Sequence, residues 1–200
     1  MKQMEDSERE LRIEPLSPTS WDALARLFNE GGDPRWCWCA FWRLRSKDWI
    51  ATSPAKNRRR LRDLADRDPA PGLVALEGDR AVGWVSLGPR EGYERLEHSK
   101  VRPRLDDQPV WSVVCFVVSK GARGRGIGRG LLEAAVGYAR EHGAPALEAY
   151  PVAPDGERVA AAKAYTGVLS MFQDAGFREV RSVESPSATV RRTIVRMDLA

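Results

Sequence analysis

The sequence predicts an α/β fold in which one mixed sheet carries helices on both faces. Three observations predict it. Short apolar runs with strand periodicity recur along the chain, amphipathic runs at helical spacing separate them, and Gly, Pro and Asp cluster at the joins. Residues 110–118 are apolar almost throughout and read as a central strand buried on both faces. Residues 125–141 read as the helix that follows it. Ile127, Leu131, Ala135 and Tyr138 share one side and Leu132, Val136 and Ala139 flank them, a stripe wide enough to lie on a sheet.

The remaining elements follow in order. Residues 1–10 read as a flexible tail ahead of a single domain over 11–200. Leu11 and Ile13 alternate with charged residues as in a short strand, which Pro15 and Pro18 end. Thr19 or Ser20 caps a helix whose inner face holds Leu24, Leu27 and Phe28. Ser53 and Pro54 suit the N-cap and first position of a helix running to about Asp66. Residues 73–77 and 81–87 form a hairpin about Gly78-Asp79-Arg80, and residues 91–98 a helical turn inside a polar loop that runs to 109. Residues 146–152 read as a strand, 159–175 as a helix after a turn at Pro154-Asp155-Gly156, and 177–183 and 189–199 as closing strands.

Composition narrows the function classes. A chain of 200 residues with 42% hydrophobic side chains can bury a core, and a net charge of +4 is too slight for a dedicated nucleic-acid binder. The basic run from Lys56 to Arg62 reads mainly as the solvated face of its helix. No apolar run reaches the roughly 20 residues that span a membrane. The charged N-terminus lacks an apolar leader, and three cysteines make no paired framework, so the expectation is a cytoplasmic protein.

The join between the central strand and its helix carries the functional signal. Arg123, Gly124, Arg125, Gly126, Ile127 and Gly128 place a glycine-rich turn at a helix N-terminus, where unpaired N–H groups and the helix dipole attract an anion. Gly at alternate positions misses the G-x-G-x-x-G spacing of dinucleotide folds, and Leu131-Leu132 after Gly130 excludes a nucleotide P-loop ending. As mere punctuation the glycines would cost about 1 kcal/mol each within a helix. An anion-binding role explains that cost better.

An apolar strand ending at Val118 and followed by Arg-x-x-Gly-x-Gly over 123–128 resembles the acyl-CoA-binding motif of the GNAT superfamily of N-acyltransferases. The strand and helix order is similar to that family's, as is the Gly176-Phe177 close of the later helix. The resemblance implies a mostly antiparallel central sheet, acetyl-CoA as cosubstrate without a metal, and a primary amine of a small molecule or peptide as acceptor. It implies that the glycine turn holds the pyrophosphate, with Arg123, Arg125 and Arg129 adding charge, and that Phe116, Val117 and Val118 pair with the pantetheine arm. Tyr165 stands where the family often places an Asn that contacts the cofactor, and a homodimer through the C-terminal strands is a further expectation.

The chain departs from the family at two catalytic positions. Ser112 stands eleven residues before Arg123 where some members carry a carboxylate, and Phe172 stands five residues before Phe177 where many carry an acid Tyr. The remaining candidates are Tyr150 as acid or proton relay and Glu148 as base, each weighed against a structural role. Cys115 reads as a core thiol rather than a nucleophile. Four of the seven tryptophans fall within residues 35–49, and Trp36, Trp38 and Trp42 are candidates for an acceptor pocket, against plain core packing. Cys37 and Cys39 lack further ligands at useful spacing for zinc. A non-catalytic acyl-CoA-binding module on the same fold is the alternative.

Overall fold

The computed structural model describes residues 10–154, 160, 163–183 and 191–199. Strand β1 (Leu11–Pro15) leads to helix α1 (Trp21–Asn29), two short helices, α2 (Pro34–Cys37) and α3 (Ser46–Ile50), and helix α4 (Pro54–Leu64). The hairpin β2 (Gly72–Glu77) and β3 (Arg80–Pro89) follows, then the short helix α5 (Glu94–Glu97). The central strand is β4 (Trp111–Val118) and its helix α6 (Ile127–Glu141). Strands β5 (Ala146–Ala149) and β6 (Val152–Ala153), helix α7 (Leu169–Asp174), and strands β7 (Arg178–Val183) and β8 (Arg191–Asp198) complete the domain.

One sheet results, mixed and mostly antiparallel as expected. Each strand from β1 to β3 pairs antiparallel with the next, β4 and β5 pair in parallel, and β5, β6 and β7 all pair antiparallel with β8. Val195 of β8 lies between Ala149 of β5 and Glu179 of β7.

The side-chain period of two splits each central strand between two cores. Val74 and Leu76 of β2 join Trp84 of β3 and Trp21, Leu24 and Phe28 of α1. Leu73 and Ala75 face the other way, with Val85 and Leu87 of β3 against Leu131, Leu132 and Ala135 of α6. Helices therefore cover both faces. The sheet cannot slip by one residue without exchanging the two cores.

Several boundaries differ from the sequence expectation. The strand expected over 146–152 is two strands, because Pro151 has no N–H to give the ladder; its carbonyl still accepts from Thr193 N–H at 3.2 Å. The helix expected over 159–175 begins only at Leu169. Residues 155–159 and 161–162 lie outside the described residues, as do residues 1–9 of the expected tail and 189–190 of the last strand. Within the described part, Gly167 takes φ +85° and its carbonyl accepts from Val152 N–H at 3.0 Å, so the chain there lies along the sheet. Ser53 and Pro54 start α4 as expected: Ser53 Oγ accepts from Lys56 N–H at 3.4 Å.

At Gly83 the sheet and α6 meet without room for a side chain. A Cβ there would stand 2.7 Å from Ile127 Cγ2 and 2.9 Å from Leu131 Cδ1. Gly83→Ala should destabilise the domain by about 1–3 kcal/mol by forcing α6 away from β3, read as a lower urea midpoint.

Candidate active site

The site begins with a break in the central strand. The β3–β4 register shifts between Ser86 and Leu87: Ser86 pairs with Cys115 and Leu87 with Val113, so Val114 is an inserted residue. The alternation slips with it, because Val114 and Cys115 both join the core under α1. Such a bulge bends and twists its strand. On its other edge β4 pairs with β5 only from Trp111 to Val113. Beyond that point the two parallel strands are no longer paired, and Phe116 N–H donates instead to the carbonyl of Tyr165 at 2.6 Å.

The glycine turn lies beyond the free end of β4. Gly124 and Gly126 take φ +77° and +80°, the left-handed region that favours glycine, and a Cβ on either would meet nothing within 4 Å. Gly126 caps α6 without a side-chain bond, which moves the helix start to Ile127 from the expected Arg125. Gly130 is the first residue here whose N–H finds a carbonyl, that of Gly126 at 3.0 Å. Among the described residues, the N–H groups of Gly124, Arg125, Gly126, Ile127, Gly128 and Arg129 have no hydrogen-bond acceptor. Six consecutive donors at the positive end of a fifteen-residue helix fit an extended oxyanion such as a pyrophosphate. The arginines are less concentrated on the turn than expected. Arg125 pairs with Glu77 and Arg129 with Asp174, both on the surface, while Arg123 Nε donates to Val118 O at 3.4 Å.

Tyr150 and Glu148 lie together but sealed, 0% and 1% exposed. Their shared partner is Arg90, which the sequence did not single out. Arg90 Nη1 donates to Tyr150 Oη at 2.6 Å and to Glu148 Oε2 at 3.5 Å, and Tyr150 Oη donates to the same carboxylate oxygen at 3.3 Å. Ser112 Oγ lies 3.0 Å from Tyr150 Oη. Arg90 spends its other donors on Glu97, Leu96 O and Arg102 O, at 3.0, 3.2 and 2.8 Å. Burial pushes the Tyr150 hydroxyl above its usual range, and desolvation raises the Glu148 carboxyl against the pull of Arg90 and Arg196. Ser112 thus stands beside a buried carboxylate supplied by the neighbouring strand.

The aromatic segment divides among three places. Trp38 is buried in the core, stacked on Trp21 at 5.9 Å, with Nε1 donating to Arg35 O at 3.0 Å. Trp36 is 41% exposed and meets Trp49 edge-on at 4.6 Å. Trp42 is the one of the three candidates that lines a cavity of about 330 Å³, together with Phe41, Tyr165, Arg95, Arg102 and Arg192 among others. It also stacks on Tyr150 at 6.3 Å, so the cavity backs onto the buried network. Tyr165 joins this cavity to the Phe116 N–H.

The three cysteines are free, and Cys39 Sγ accepts from Trp84 Nε1 at 3.1 Å. Among the described residues no three His, Cys, Asp or Glu side chains are grouped to hold a metal ion, and no helix is long and apolar enough to cross a membrane.

Comparison with known proteins bears on this geometry. The model of the acetyltransferase (GNAT) family matches residues 38–166. Similar solved structures include a GNAT-family acetyltransferase from Streptococcus pneumoniae, 18% identical, with TM-score 0.56 over 96% of this chain and 100% of that one. A ribosomal-protein-alanine N-acetyltransferase from Brucella melitensis is 23% identical, with TM-score 0.54 over 94% and 99%. A protein from Salmonella typhimurium solved with its cofactor acetyl-CoA is 16% identical, with TM-score 0.51 over 95% and 94%. No curated protein matches the chain in sequence.

One ion pair behind the site gives a pH dependence of fixed sign. Asp106 accepts from both terminal nitrogens of Arg196, and this holds its carboxyl down to about 2. A depressed carboxyl contributes stability that is fully present above its unfolded value near 4 and is lost as pH falls through about 2. Asp106→Asn should flatten the acid limb of the stability profile over that window, lying below wild type at neutral pH and converging on it as pH falls toward 2, as followed by urea unfolding at stepped pH.

Proposed function

The chain belongs to the acetyltransferase (GNAT) family, and from that premise we propose that it moves an acetyl group from acetyl-CoA to a primary amine of a small molecule or peptide. The observation that carries this reading is the row of six unpartnered N–H groups at the start of α6, beside a central strand that has lost its parallel neighbour.

Acetyl-CoA, when bound, supplies the activated thioester. The N–H groups of residues 124–129 hold its pyrophosphate, and Arg123, the least engaged arginine of the turn, adds charge. Phe116, Val117 and Val118 offer the unpaired edge of β4 to the pantetheine arm. Phe116 N–H then donates to the acyl carbonyl, which requires the carbonyl of Tyr165 to move off it. The amine nitrogen forms the new C–N bond as the thioester C–S bond breaks. The amine gives up its proton to solvent, and the departing sulfur takes one up.

Tyr150 and Glu148 fit this reading as positioning residues. Sealed with Arg90, they support Trp42 from behind and hold the Arg102 main chain through Arg90. Cytoplasmic location and a dimer through β7 and β8 belong to the same reading. That burial also favours the second reading, a module that binds acyl-CoA without turning it over.

Free-thiol release from acetyl-CoA with a panel of amines tests the proposal. Amine-dependent release supports it; acetyl-CoA binding without release on any amine leaves the binding module. Gly126→Val should raise the acetyl-CoA KM by about tenfold or more, since a β-branched residue resists φ +80° and its side chain enters the open space above the turn. Tyr150→Phe should lower stability by about 1–3 kcal/mol through the lost partners of Arg90 and Ser112, and leave kcat within about threefold. A kcat loss of about a hundredfold at unchanged stability would instead make Tyr150 a proton carrier.

A further inference from the structure

The cavity beside Tyr165 is lined with positive charge that no carboxylate among the described residues pairs. Arg95, Arg102 and Arg192 all border it. Each lies over an aromatic ring of the same lining: Arg95 is 4.1 Å from the Phe41 centroid, Arg102 5.3 Å from Trp42 and Arg192 5.9 Å from Tyr165. Although Arg43 makes do with a carbonyl and the Tyr93 hydroxyl, other buried or half-buried guanidinium groups find carboxylates, as Arg90, Arg104 and Arg196 do. None of these three does so among the described residues.

Their hydrogen bonds are incomplete as well. Arg192 donates to Thr166 Oγ1 at 3.0 Å and to Lys163 O at 3.2 Å. Arg95 donates to Phe41 O at 2.7 Å and to Ser46 Oγ at 3.2 Å, and its buried Nη2 has no partner among the described residues. The Arg102 guanidinium makes no hydrogen bond among the described residues, and its Nε is buried. Burial and the nearby Arg192 both disfavour the charged form of Arg102. Like charges held together in a partly desolvated wall cost free energy that an anion between them would relieve.

We propose that this cavity is the acceptor pocket and that it selects small amines carrying an oxyanion, a carboxylate or a phosphonate, over neutral amines. The inference rests on the transferase reading above and adds the acceptor's class. The guanidinium groups bind the oxyanion in fixed, forked geometry, and the ring faces hold them in place. The amine end points to Tyr165, whose carbonyl covers the Phe116 N–H. A volume of about 330 Å³ suits a molecule of amino-acid size, at the small end of ligand pockets.

The test uses matched sets of one amino acid as free carboxylate, as carboxamide and as aminophosphonate. Each is titrated calorimetrically into the full chain saturated with coenzyme A, and each is assayed for thiol release from acetyl-CoA. The carboxylate or the phosphonate should bind about tenfold or more tightly than the carboxamide, and the better of the two identifies the oxyanion. Arg102→Gln should shrink that preference to under about threefold while the acetyl-CoA KM stays unchanged, because the Arg102 guanidinium makes no hydrogen bond among the described residues and rests only on the Trp42 ring. Arg192→Gln should reduce it in the same direction, and stands in should the Arg102 variant fail to fold. Carboxamide binding as tight as carboxylate and phosphonate, binding by none of the three, or a preference that survives both substitutions overturns the proposal. Preferential oxyanion binding with no turnover of any amine leaves the pocket assigned and removes the transferase reading. Equal turnover of neutral and anionic amines does the reverse.

Discussion

The parting of β4 from β5 is the constraint on which the rest of this structure depends. It follows from one inserted residue, Val114, and from the short parallel ladder that ends at Val113. A continuous parallel pair would bury its backbone groups between strands and leave no edge for a ligand. With the ladder cut short, β4 reaches the glycine turn with no strand beside it on one edge, where the Phe116 N–H is held by the carbonyl of Tyr165. The anion-ready start of α6 and the aromatic cavity lie on either side of this opening, and neither would be connected to the other without it.

Behind the opening, charge is buried under tight control. Arg90 is 1% exposed and satisfies its guanidinium on Glu97, Glu148, Tyr150 and two carbonyls. A buried ion pair of this kind adds little net stability over apolar packing, but removing one partner strands the others. Its effect is to join the polar loop after β3 to β5 and to hold Arg102 in the cavity wall. The contrast between Arg90 and Arg102 is instructive: the same side chain, twelve residues apart, is saturated with hydrogen bonds in one case and, among the described residues, left with only the Trp42 ring face in the other.

What the sequence disclosed follows the range of the interactions involved. The two cores, the hairpin and the glycine turn rest on local rules, namely period-two alternation, turn residues and positive φ, and each was legible residue by residue. Arg90 was not, because its partners Glu148 and Tyr150 lie 58 and 60 residues away and a lone Arg in a polar loop carries no pattern. Trp36, Trp38 and Trp42 were equivalent in the sequence, yet they divide between surface, core and cavity, because Trp38 itself takes a left-handed φ of 45° and redirects the chain. The helix expected over 159–175 failed at Gly167, where apolar spacing continues but the backbone turns to follow the sheet.

The hydrogen bond from Phe116 to Tyr165 has a thermodynamic consequence of its own. Any ligand that needs the Phe116 N–H competes with the chain's own carbonyl, so its apparent dissociation constant is its intrinsic one divided by the fraction of molecules in which that carbonyl has swung away. Tyr165 also lines the cavity, and Arg192, which lies over its ring, is tied to Thr166. One short segment therefore sets the resting populations for both ligands. Whatever draws it toward the cavity wall tightens the hold on the other ligand by the same factor that the other ligand returns.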